Sequence, residues 1–330
     1  MAVLKFQKLF SLFVLFSMVS AMAYTEELSL DYYKYSCPGA EDIVKRITKQ
    51  YVSHVPSFAP GLLRMIFHDC IVRGCEGSLL LDPTASNNQT EKTAIPNVTL
   101  KGFVVVEAIK SALEKHCPGV VSCADILALS SRDAITTING PSWDVPLGRK
   151  DGKISLASEA NALIPSPFSN ISTLKQEFAA VGLTTKDLVV LSGSHTIGHG
   201  HCFIIQSRLY NFSGRGDTDP ALSPGYAAFL KNRCKPIPGD MKSIVAMDKI
   251  TPRVFDEKYY TMVSQNRGLF QSDAALLNDP ETKNYIDLQV NTMGSSFAHD
   301  FAVSMSKMIK IGVLTGKQGE VRKKCGAVNA

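Results

Sequence analysis

Apolar residues recur at helical spacing along most of the chain. Ile43, Ile47, Tyr51 and Val55 follow one another every four residues, which predicts one face of an amphipathic helix. Similar apolar faces recur further along the chain, in residues 104–113, 126–138, 174–181, 259–263 and 286–309. Because alternating strand patterns are scarce, the sequence predicts a mostly α protein with at most a short β-hairpin.

Two local signals mark helix starts. Asp279-Pro280-Glu281 puts a capping residue, a first-turn proline and an early acid in order. Thr184 is followed three residues later by Asp187, which resembles a capping box. Both signals support helices that begin immediately downstream.

The segment 140–168 is rich in Gly, Pro and polar residues and separates two helical halves. Trp143, Val145 and Leu147 give it apolar anchors, so we expect a crossing loop and not a flexible linker. The two halves are then expected to pack as one compact unit with a ligand between them.

The N-terminus has the pattern of a secretory signal peptide. Lys5 and Lys8 precede the apolar run LFSLFVLFSMV, and Ala21-Met22-Ala23 offers small residues for cleavage. That run is too short to span a membrane, and no later apolar stretch is long enough. We therefore expect residues 1–23 to be removed and residues 24–330 to be secreted in soluble form.

Charge narrows the choice of partners. Loss of residues 1–23 would lower the formal net charge of +5 by two, because the segment contains two lysines and no acid. Mild basicity favours contact with anionic polymers such as acidic polysaccharide. The absence of a basic run or an aromatic-interleaved basic patch argues against nucleic acid.

The chain has eight cysteines, and an even number in an exported protein predicts disulfides. Spacing alone leaves on the order of a hundred pairings open. Only Cys70 with Cys75 is suggested locally, because the loop between them is short. The sequence lacks the two CxxC pairs that a zinc cluster would need.

Two peptides contain the residues that are candidates for catalysis or ligand binding. In LLRMIFHDCIVRGC, residues 62–75, Arg64 and His68 would share one helix face. A permanent cation beside a group that titrates near neutrality suits heterolysis of a bond whose leaving oxygen gains charge. In DLVVLSGSHTIGHGHC, residues 187–202, His195 follows a long apolar helical run.

These peptides belong to a longer series of motifs by which the chain resembles the secretory plant haem peroxidases of class III. The resemblance covers residues 32–329, with the motifs in the family's order: LLRMIFHDC, RGCEGSLLLD, VSCADILAL, VPLGRKDG, LSGSHTIG, RLYNFSG, TPRVFDEKYY and GLFQSD. It implies a two-part helical fold with one haem b between the halves, as a single domain over residues 24–330. It also implies a monomer located in the cell wall or apoplast more readily than in the vacuole.

The resemblance assigns the haem-face residues. His195 would be the axial ligand of the haem iron, and Asp273 would accept a hydrogen bond from its ring, which makes the imidazole more electron-donating. On the opposite face, His68 would take a proton from hydrogen peroxide and return it to the departing oxygen. Arg64 would stabilise the charge that develops.

The same resemblance implies two further residues on the His68 side of the haem, called the distal side, and an opening through which donors approach. The His195 side is called the proximal side. Asn97, in IPNVTLKGF, would bind the other ring nitrogen of His68, and Phe67 would wall the pocket. Small phenolic donors would be oxidised in one-electron steps near Pro165 of IPSPF, with Ile95 and Phe168 as further candidates. Phenolics, lignin precursors, auxin and extensin tyrosines all remain open as donors.

Two calcium sites are also implied, since oxygen donors suit this hard cation. The distal set lies near His68: Asp69, Glu76, Ser78 and the carbonyls of Val72 and Gly74. At one of these positions, Glu76, the family usually has aspartate. The proximal set lies near His195: Thr196, Asp248, Thr251, Asp256 and the carbonyl of Val254.

The resemblance also implies one ion pair and four disulfides. Asp125 and Arg149 occupy the positions of a family ion pair. The implied disulfides are Cys37–Cys117, Cys70–Cys75, Cys123–Cys325 and Cys202–Cys234.

Two rival functions have some support in the sequence. His195, His199 and His201 have spacings that a zinc hydrolase could use, but the glutamate of HExxH is lacking and Gly198 and Gly200 would weaken a helix. A wall glycoprotein that keeps the fold without turnover is the non-enzymatic alternative. The presence of Arg64, His68, His195 and Asp273 argues against it.

Four sequons complete the candidate sites, each with the Asn-x-Ser/Thr pattern of a glycan acceptor. They begin at Asn88, Asn97, Asn170 and Asn211. If Asn97 serves His68, it must be buried and carry no glycan.

Overall fold

The computed structural model describes residues 28–330, so the expected signal peptide, residues 1–23, lies outside the described residues. The N-terminal half contains four long helices: α1 (Ala40–His54), α2 (Phe58–Val72), α3 (Phe103–His116) and α4 (Cys123–Thr137). Short 3-10 turns lie at Ser78–Leu80, Glu91–Thr93, Gly193–Thr196 and Leu276–Asn278.

The rest of the chain is also mainly helical. Its helices are α5 (Ala157–Leu163), α6 (Ile171–Ala180), α7 (Thr185–Ser192), α8 (Cys202–Tyr210), α9 (Pro224–Arg233), α10 (Lys258–Ser264), α11 (Gln271–Ala275), α12 (Pro280–Asn291) and α13 (Phe297–Met308). Two short strands, β1 (His199–His201) and β2 (Ile244–Ala246), pair antiparallel. The prediction of a mostly α protein is confirmed.

The helical segments agree with the hydrophobic pattern, with two corrections. In α1 the buried stripe includes Val44 and Val52, whereas Val55, expected on the apolar face, is exposed. Val55 is the C-cap residue, with φ −132°, so it lies just past the end of α1 and not on its buried face. The stretch 286–309 is two helices, because Met293 and Gly294 adopt positive φ between them.

Both start signals act as helix caps. Thr184 and Asp187 form a reciprocal capping box at the start of α7. The Asp279 side chain accepts hydrogen bonds from the amides of Glu281 and Thr282 at the start of α12. These contacts satisfy donors that the first helical turn would otherwise leave unpaired.

The sheet is as short as expected, but its strands are not joined by a tight turn. His199 pairs with Ala246, Gly200 with Val245 and His201 with Ile244. Helices α8 and α9 lie between the strands in sequence. The two strands are therefore paired across a long connection and do not form the hairpin that the sequence allowed.

The crossing segment 140–168 is anchored as predicted, since Trp143, Val145 and Leu147 are all buried. It also contains α5, where the sequence predicts loop. That helix buries only Ala157 and Ala160, so it lacks the broad apolar stripe that marks a helix in sequence. One hydrophobic core includes residues of both halves.

A buried ion pair fixes the crossing segment to both halves. Arg149 donates to the Asp125 carboxylate at 2.8 Å, and both side chains are fully buried. The Arg149 guanidinium also donates to the Ile309 carbonyl, and Tyr33 donates to Asp125. Because both charged groups are well hydrogen-bonded, the cost of their burial is offset.

Disulfides join distant parts of the chain. The structure contains the four implied pairs, Cys37–Cys117, Cys70–Cys75, Cys123–Cys325 and Cys202–Cys234. Cys123–Cys325 has a sequence separation of 202 residues and ties α4 to the C-terminus. Within residues 28–330, none of the helices has the length and apolar character needed to cross a bilayer.

Candidate active site

Helix α2 brings Arg64 and His68 together, one turn apart on the same face. Arg64 Nε donates to His68 Nε2 at 3.2 Å. The other sides of α2 are apolar and packed in the core, with Leu62, Met65 and Ile66 fully buried. This packing fixes the helix and therefore the direction in which the two polar side chains project.

Asn97 determines which nitrogen of His68 carries the proton. Its Nδ2 donates to the Glu91 carbonyl at 2.8 Å, and a carbonyl can only accept. The Asn97 Oδ1 must therefore face His68 Nδ1, 2.6 Å away, and accept a hydrogen bond from its N–H. His68 Nε2 is left with its lone pair toward Arg64, which is the tautomer that a general base needs.

The surroundings keep His68 neutral. Burial lowers the pKa of His68 to about 3, and the nearby Arg64 charge adds to the fall, while the hydrogen bond to Asn97 opposes it. Burial also lowers the pKa of Arg64, to about 10, which leaves it charged near neutrality. A neutral base therefore lies beside a fixed cation over the whole physiological range.

Arg64 is held by the same turn that positions Asn97. Its guanidinium donates to the Pro96 carbonyl at 2.7 Å and to Thr99 Oγ1 at 3.0 Å. The Arg64 side chain nevertheless remains accessible to solvent. Thr99 was not predicted as a site residue, even though it lies in the IPNVTLKGF motif.

His195 lies in the 3-10 turn Gly193–Thr196, directly after α7. Its Nδ1 lies 2.7 Å from Asp273 Oδ1, and the carboxylate is buried while 32% of the imidazole remains exposed. One ring nitrogen is thus fixed by the protein. A Cβ on Gly193 would clash with the Tyr260 hydroxyl and the Phe297 ring, so the turn needs glycine there.

Asp273 accepts hydrogen bonds from three different groups. Besides His195, Tyr259 donates its hydroxyl to Oδ1 at 2.9 Å, and the Phe270 amide donates to Oδ2 at 2.7 Å. Burial raises the pKa of Asp273, but these partners outweigh it and hold the pKa below its usual value. The carboxylate is therefore ionised and held in one orientation. Tyr259 was not among the predicted residues.

Direct contacts bring the helix that carries His68 near the segment that carries His195. Pro60, at the start of α2, packs against Gly198, three residues after His195. Phe67 contacts Phe178 of α6 with ring centroids 6.0 Å apart. The N-terminal helix that carries His68 and the C-terminal segment that carries His195 thus adjoin, as expected for a ligand between two halves.

The predicted donor opening also adjoins the proximal face. The Ser272 amide, next to Asp273, donates to the Pro167 carbonyl, which places the loop of Pro165 beside α11. Ile95 is 76% exposed and Phe168 is 46% exposed. Large apolar side chains at such exposure are available to contact a small aromatic molecule.

The distal oxygen set is gathered around the loop after α2. The Asp69 carboxylate accepts from the amides of Gly77 and Leu79, and Ser78 Oγ is buried without a hydrogen-bond partner. Burial raises the pKa of Asp69 to about 7, and Glu76 contributes to the rise. The Gly74 carbonyl accepts a hydrogen bond from the Glu76 amide. Val72 is the last residue of α2.

Glu91 adds an acid that the sequence did not reveal. Both of its carboxylate oxygens are buried without a partner, and burial raises its pKa to about 8, with Asp69 as the next cause. Glu76 folds against Gly152, where a Cβ would clash with its carboxylate. The longer acidic side chain is thus accommodated because residue 152 has no side chain. Buried, unsatisfied oxygens with excess negative charge fit a hard cation.

The proximal oxygen set is connected by hydrogen bonds. Thr196 Oγ1 lies within hydrogen-bonding distance of both Asp256 and the Val254 carbonyl, and Thr251 Oγ1 lies 3.0 Å from both Asp248 and Asp256. Burial raises the pKa of Asp256, with Glu257 and Asp248 adding to the rise. Two carboxylates, two hydroxyls and a carbonyl within hydrogen-bonding range form a donor set suited to calcium.

His201 and His195, two of the three histidines of the rival zinc interpretation, contact different groups. His201 Nδ1 lies 3.0 Å from the Met241 carbonyl, whereas His195 contacts Asp273. In the part of the chain that the structure describes, no group of three or more His, Cys, Asp or Glu side chains is arranged to hold a metal. Both oxygen sets combine carboxylates with hydroxyls and carbonyls instead.

Comparison with known proteins identifies the family. A family model described as peroxidase matches residues 42–292. The chain belongs to the class III plant peroxidases. It is 52% identical over 318 residues to Peroxidase 56 of Arabidopsis thaliana, covering 96% of this chain and 95% of that protein. It is 47% identical over 320 residues to Peroxidase 1 of Oryza sativa subsp. japonica, covering 96% and 97%.

This assignment makes the protein a haem-dependent peroxidase, with hydrogen peroxide and a reducing substrate as reactants. The two candidate histidines of this peroxidase, His68 and His195, have different environments. His68 has a neutral amide partner and a nearby cation, while His195 has a buried carboxylate. The imidazole, carboxylate and apolar groups present suit a haem, for which histidine is a common axial ligand.

Proposed function

We propose that residues 24–330 form a secreted, monomeric peroxidase that uses one haem b to reduce hydrogen peroxide and oxidises small phenolic donors in successive one-electron steps. Bound haem supplies the redox centre of this reaction. The observation that supports the proposal most directly is the tautomer of His68. Its Nδ1 proton is committed to Asn97, so Nε2 can accept a proton from peroxide.

On the distal face, peroxide would take the position between His68 Nε2 and the Arg64 guanidinium, which now contact each other at 3.2 Å. His68 would remove the proton from one peroxide oxygen and return it to the other as the O–O bond breaks, so that this oxygen leaves as water. Arg64 stabilises the negative charge on that oxygen. The two electrons that this cleavage needs would come from the bound haem and be restored by two one-electron donors. Phe67 closes one wall and limits access of bulk water.

On the proximal face, His195 would hold the haem iron through Nε2, since Nδ1 is held by Asp273. The ionised carboxylate draws the Nδ1 proton toward itself and makes the imidazole a stronger electron donor. Donors approach at Pro165, with Ile95 and Phe168 offering apolar contact. These residues would govern which phenols are accepted.

Two calcium ions would hold the faces in place. The distal ion would be bound by Asp69, Glu76, Ser78 and the carbonyls of Val72 and Gly74. The proximal ion would be bound by Thr196, Asp248, Thr251, Asp256 and the carbonyl of Val254. Asp69 adjoins His68 and Thr196 adjoins His195, so each ion would fix a catalytic histidine through the backbone.

Location follows from the N-terminal pattern and the four disulfides, which favour the oxidising space outside the cell. We propose the cell wall or apoplast, where the mild basicity would favour contact with acidic polysaccharide. N-terminal sequencing of the protein collected from the medium of expressing plant cells should begin at Tyr24. A chain that retains residues 1–23 would contradict secretion by this route.

The test of the activity is a steady-state assay of the haem-loaded protein with hydrogen peroxide and a panel of phenols that differ in size. Turnover should require both reactants and should saturate with peroxide. The control is His68→Ala, which removes the proposed base and leaves the proximal face intact. A parent protein that binds haem but turns over no faster than this variant would support the non-enzymatic alternative.

A further inference from the structure

Tyr259 contacts the proximal carboxylate at the oxygen that matters for His195. Its hydroxyl donates to Asp273 Oδ1 at 2.9 Å, and His195 Nδ1 lies 2.7 Å from the same oxygen. The two donors therefore compete for the negative charge of one atom. Asp273 Oδ2, in contrast, is taken by the Phe270 amide.

We infer that Tyr259 is a positioning residue that weakens the hydrogen bond between His195 and Asp273 and so sets how strongly His195 donates electrons to the haem iron. This inference rests on the proposed ligation of iron by His195. A phenol that shares an acceptor oxygen withdraws charge from it, which lowers the pull of that oxygen on the imidazole proton. Less pull means a less electron-donating ligand and a higher reduction potential.

The surroundings of Tyr259 allow its hydroxyl to be removed without moving Asp273. The side chain is buried, and its ring meets the His195 ring edge-on at 5.9 Å. Because the Phe270 amide holds Oδ2, removal of the tyrosine hydroxyl leaves the carboxylate anchored beside His195. The variant Tyr259→Phe should thus change the charge on Oδ1 with little rotation of Asp273.

The neighbouring Tyr260 is a matched control. It is equally buried on α10, and its hydroxyl donates to the Val189 carbonyl at 3.1 Å, away from Asp273. Tyr260→Phe removes the same atom from the same helix and also leaves a buried acceptor with one donor fewer. Any general loss of packing or stability should be common to both variants.

The experiment is resonance Raman spectroscopy of the ferrous, haem-loaded proteins, with the reduction potential measured in parallel. Tyr259→Phe should raise the iron–histidine stretching frequency and lower the potential by about 59 mV, a tenfold change in the one-electron equilibrium, as expected for loss of one charge-assisted hydrogen bond. Tyr260→Phe should leave both at the parent values. An unchanged or lower frequency in Tyr259→Phe, or an equal shift in both variants, overturns the inference.

A second variant tests the sign without removing the hydroxyl. Site-specific replacement of Tyr259 by a fluorinated tyrosine makes the phenol a stronger donor, so the frequency should fall and the potential should rise. A shift in the same direction as Tyr259→Phe overturns the inference. If the parent itself shows no iron–histidine band, the proposed ligation by His195 fails instead, and the two failures are distinguishable.

Discussion

His68 and His195, the histidines of the two proposed haem faces, differ mainly in the partner of Nδ1. His68 contacts the neutral amide of Asn97 and lies beside the Arg64 cation, whereas His195 contacts the ionised carboxylate of Asp273. An amide fixes the tautomer without adding charge, so the ring stays neutral and its Nε2 can exchange protons. A carboxylate draws on the ring proton and makes Nε2 a stronger ligand. Under the proposed function, the same side chain would serve proton transfer in one place and metal ligation in the other, according to its partner.

The second difference lies in how each partner is itself held. Apart from the histidine itself, Asn97 is oriented by one backbone carbonyl, that of Glu91, while Asp273 accepts two further donors, the Tyr259 hydroxyl and the Phe270 amide. The distal partner only has to keep one orientation. The proximal partner also has to keep its charge while buried, and multiple donors do this.

The largest expected effect comes from removing each histidine. His195→Ala should lose or loosen the haem, because the axial ligand is gone, whereas His68→Ala should keep it and slow the peroxide reaction by about a hundredfold or more, the usual effect of losing general acid-base catalysis. Haem content and stopped-flow oxidation by peroxide measure the two effects. A haem-free His68→Ala or a fully active His195→Ala would reverse the assignment of the faces.

The sequence predicted these two histidines more readily than the groups around them. The helical spacing of Arg64 and His68 is visible without a structure, and the resemblance supplied Asn97 and Asp273. Glu91 and Tyr259 were missed, because a buried acid and a buried phenol look in sequence like a surface acid and a core aromatic residue. Contacts such as Glu76 with Gly152 join distant segments, and no local pattern reports them.

Replacing the amide of Asn97 by a carboxylate should make the environment of His68 resemble that of His195. In the parent, His68 has a pKa of about 3, so the rate of peroxide reaction should be flat from neutral pH downward and fall only as the pH approaches that value. Asn97→Asp places a carboxylate beside Nδ1, which stabilises the protonated ring and raises the pKa. The fall should then begin at a higher pH.

Rapid-mixing rates between pH 3 and 8 would show this shift as a displaced acidic limb. Asn161→Asp is the control, because Asn161 bonds the Ile95 amide in the same region without touching His68. An equal displacement in both variants would mean that added charge alone, and not the partner of Nδ1, controls the distal pKa.

The two proposed calcium sites offer a smaller test of the same contrast, since the distal set has the longer Glu76 where the proximal set shows no departure from the family pattern. Gly152→Ala would clash with the Glu76 carboxylate and should weaken distal calcium binding about tenfold, as is typical for disturbing groups that support a ligand. Calcium titration of chelated protein measures it. The double variant Gly152→Ala, Glu76→Asp should recover affinity, because the shorter acid makes room.

The control for that titration is Gly225→Ala, since a Cβ at Gly225 would meet no neighbouring atom. It should bind calcium like the parent. If Glu76→Ala also binds calcium as tightly as the parent, Glu76 is not a ligand. The distal ion would then be held by other oxygens, for which the buried, unpartnered Glu91 carboxylate is a candidate.

The smallest expected effect is an absence of glycan at the partner of His68. Asn88, Asn170 and Asn211 are exposed, whereas Asn97 is buried and its Nδ2, the atom that a glycan would occupy, donates to Glu91. Glycopeptide mapping of the secreted protein should therefore find Asn97 bare even where the other three sequons are occupied. Occupied Asn97 in active protein would mean that His68 has another partner, and the contrast between the two faces would no longer rest on amide against carboxylate.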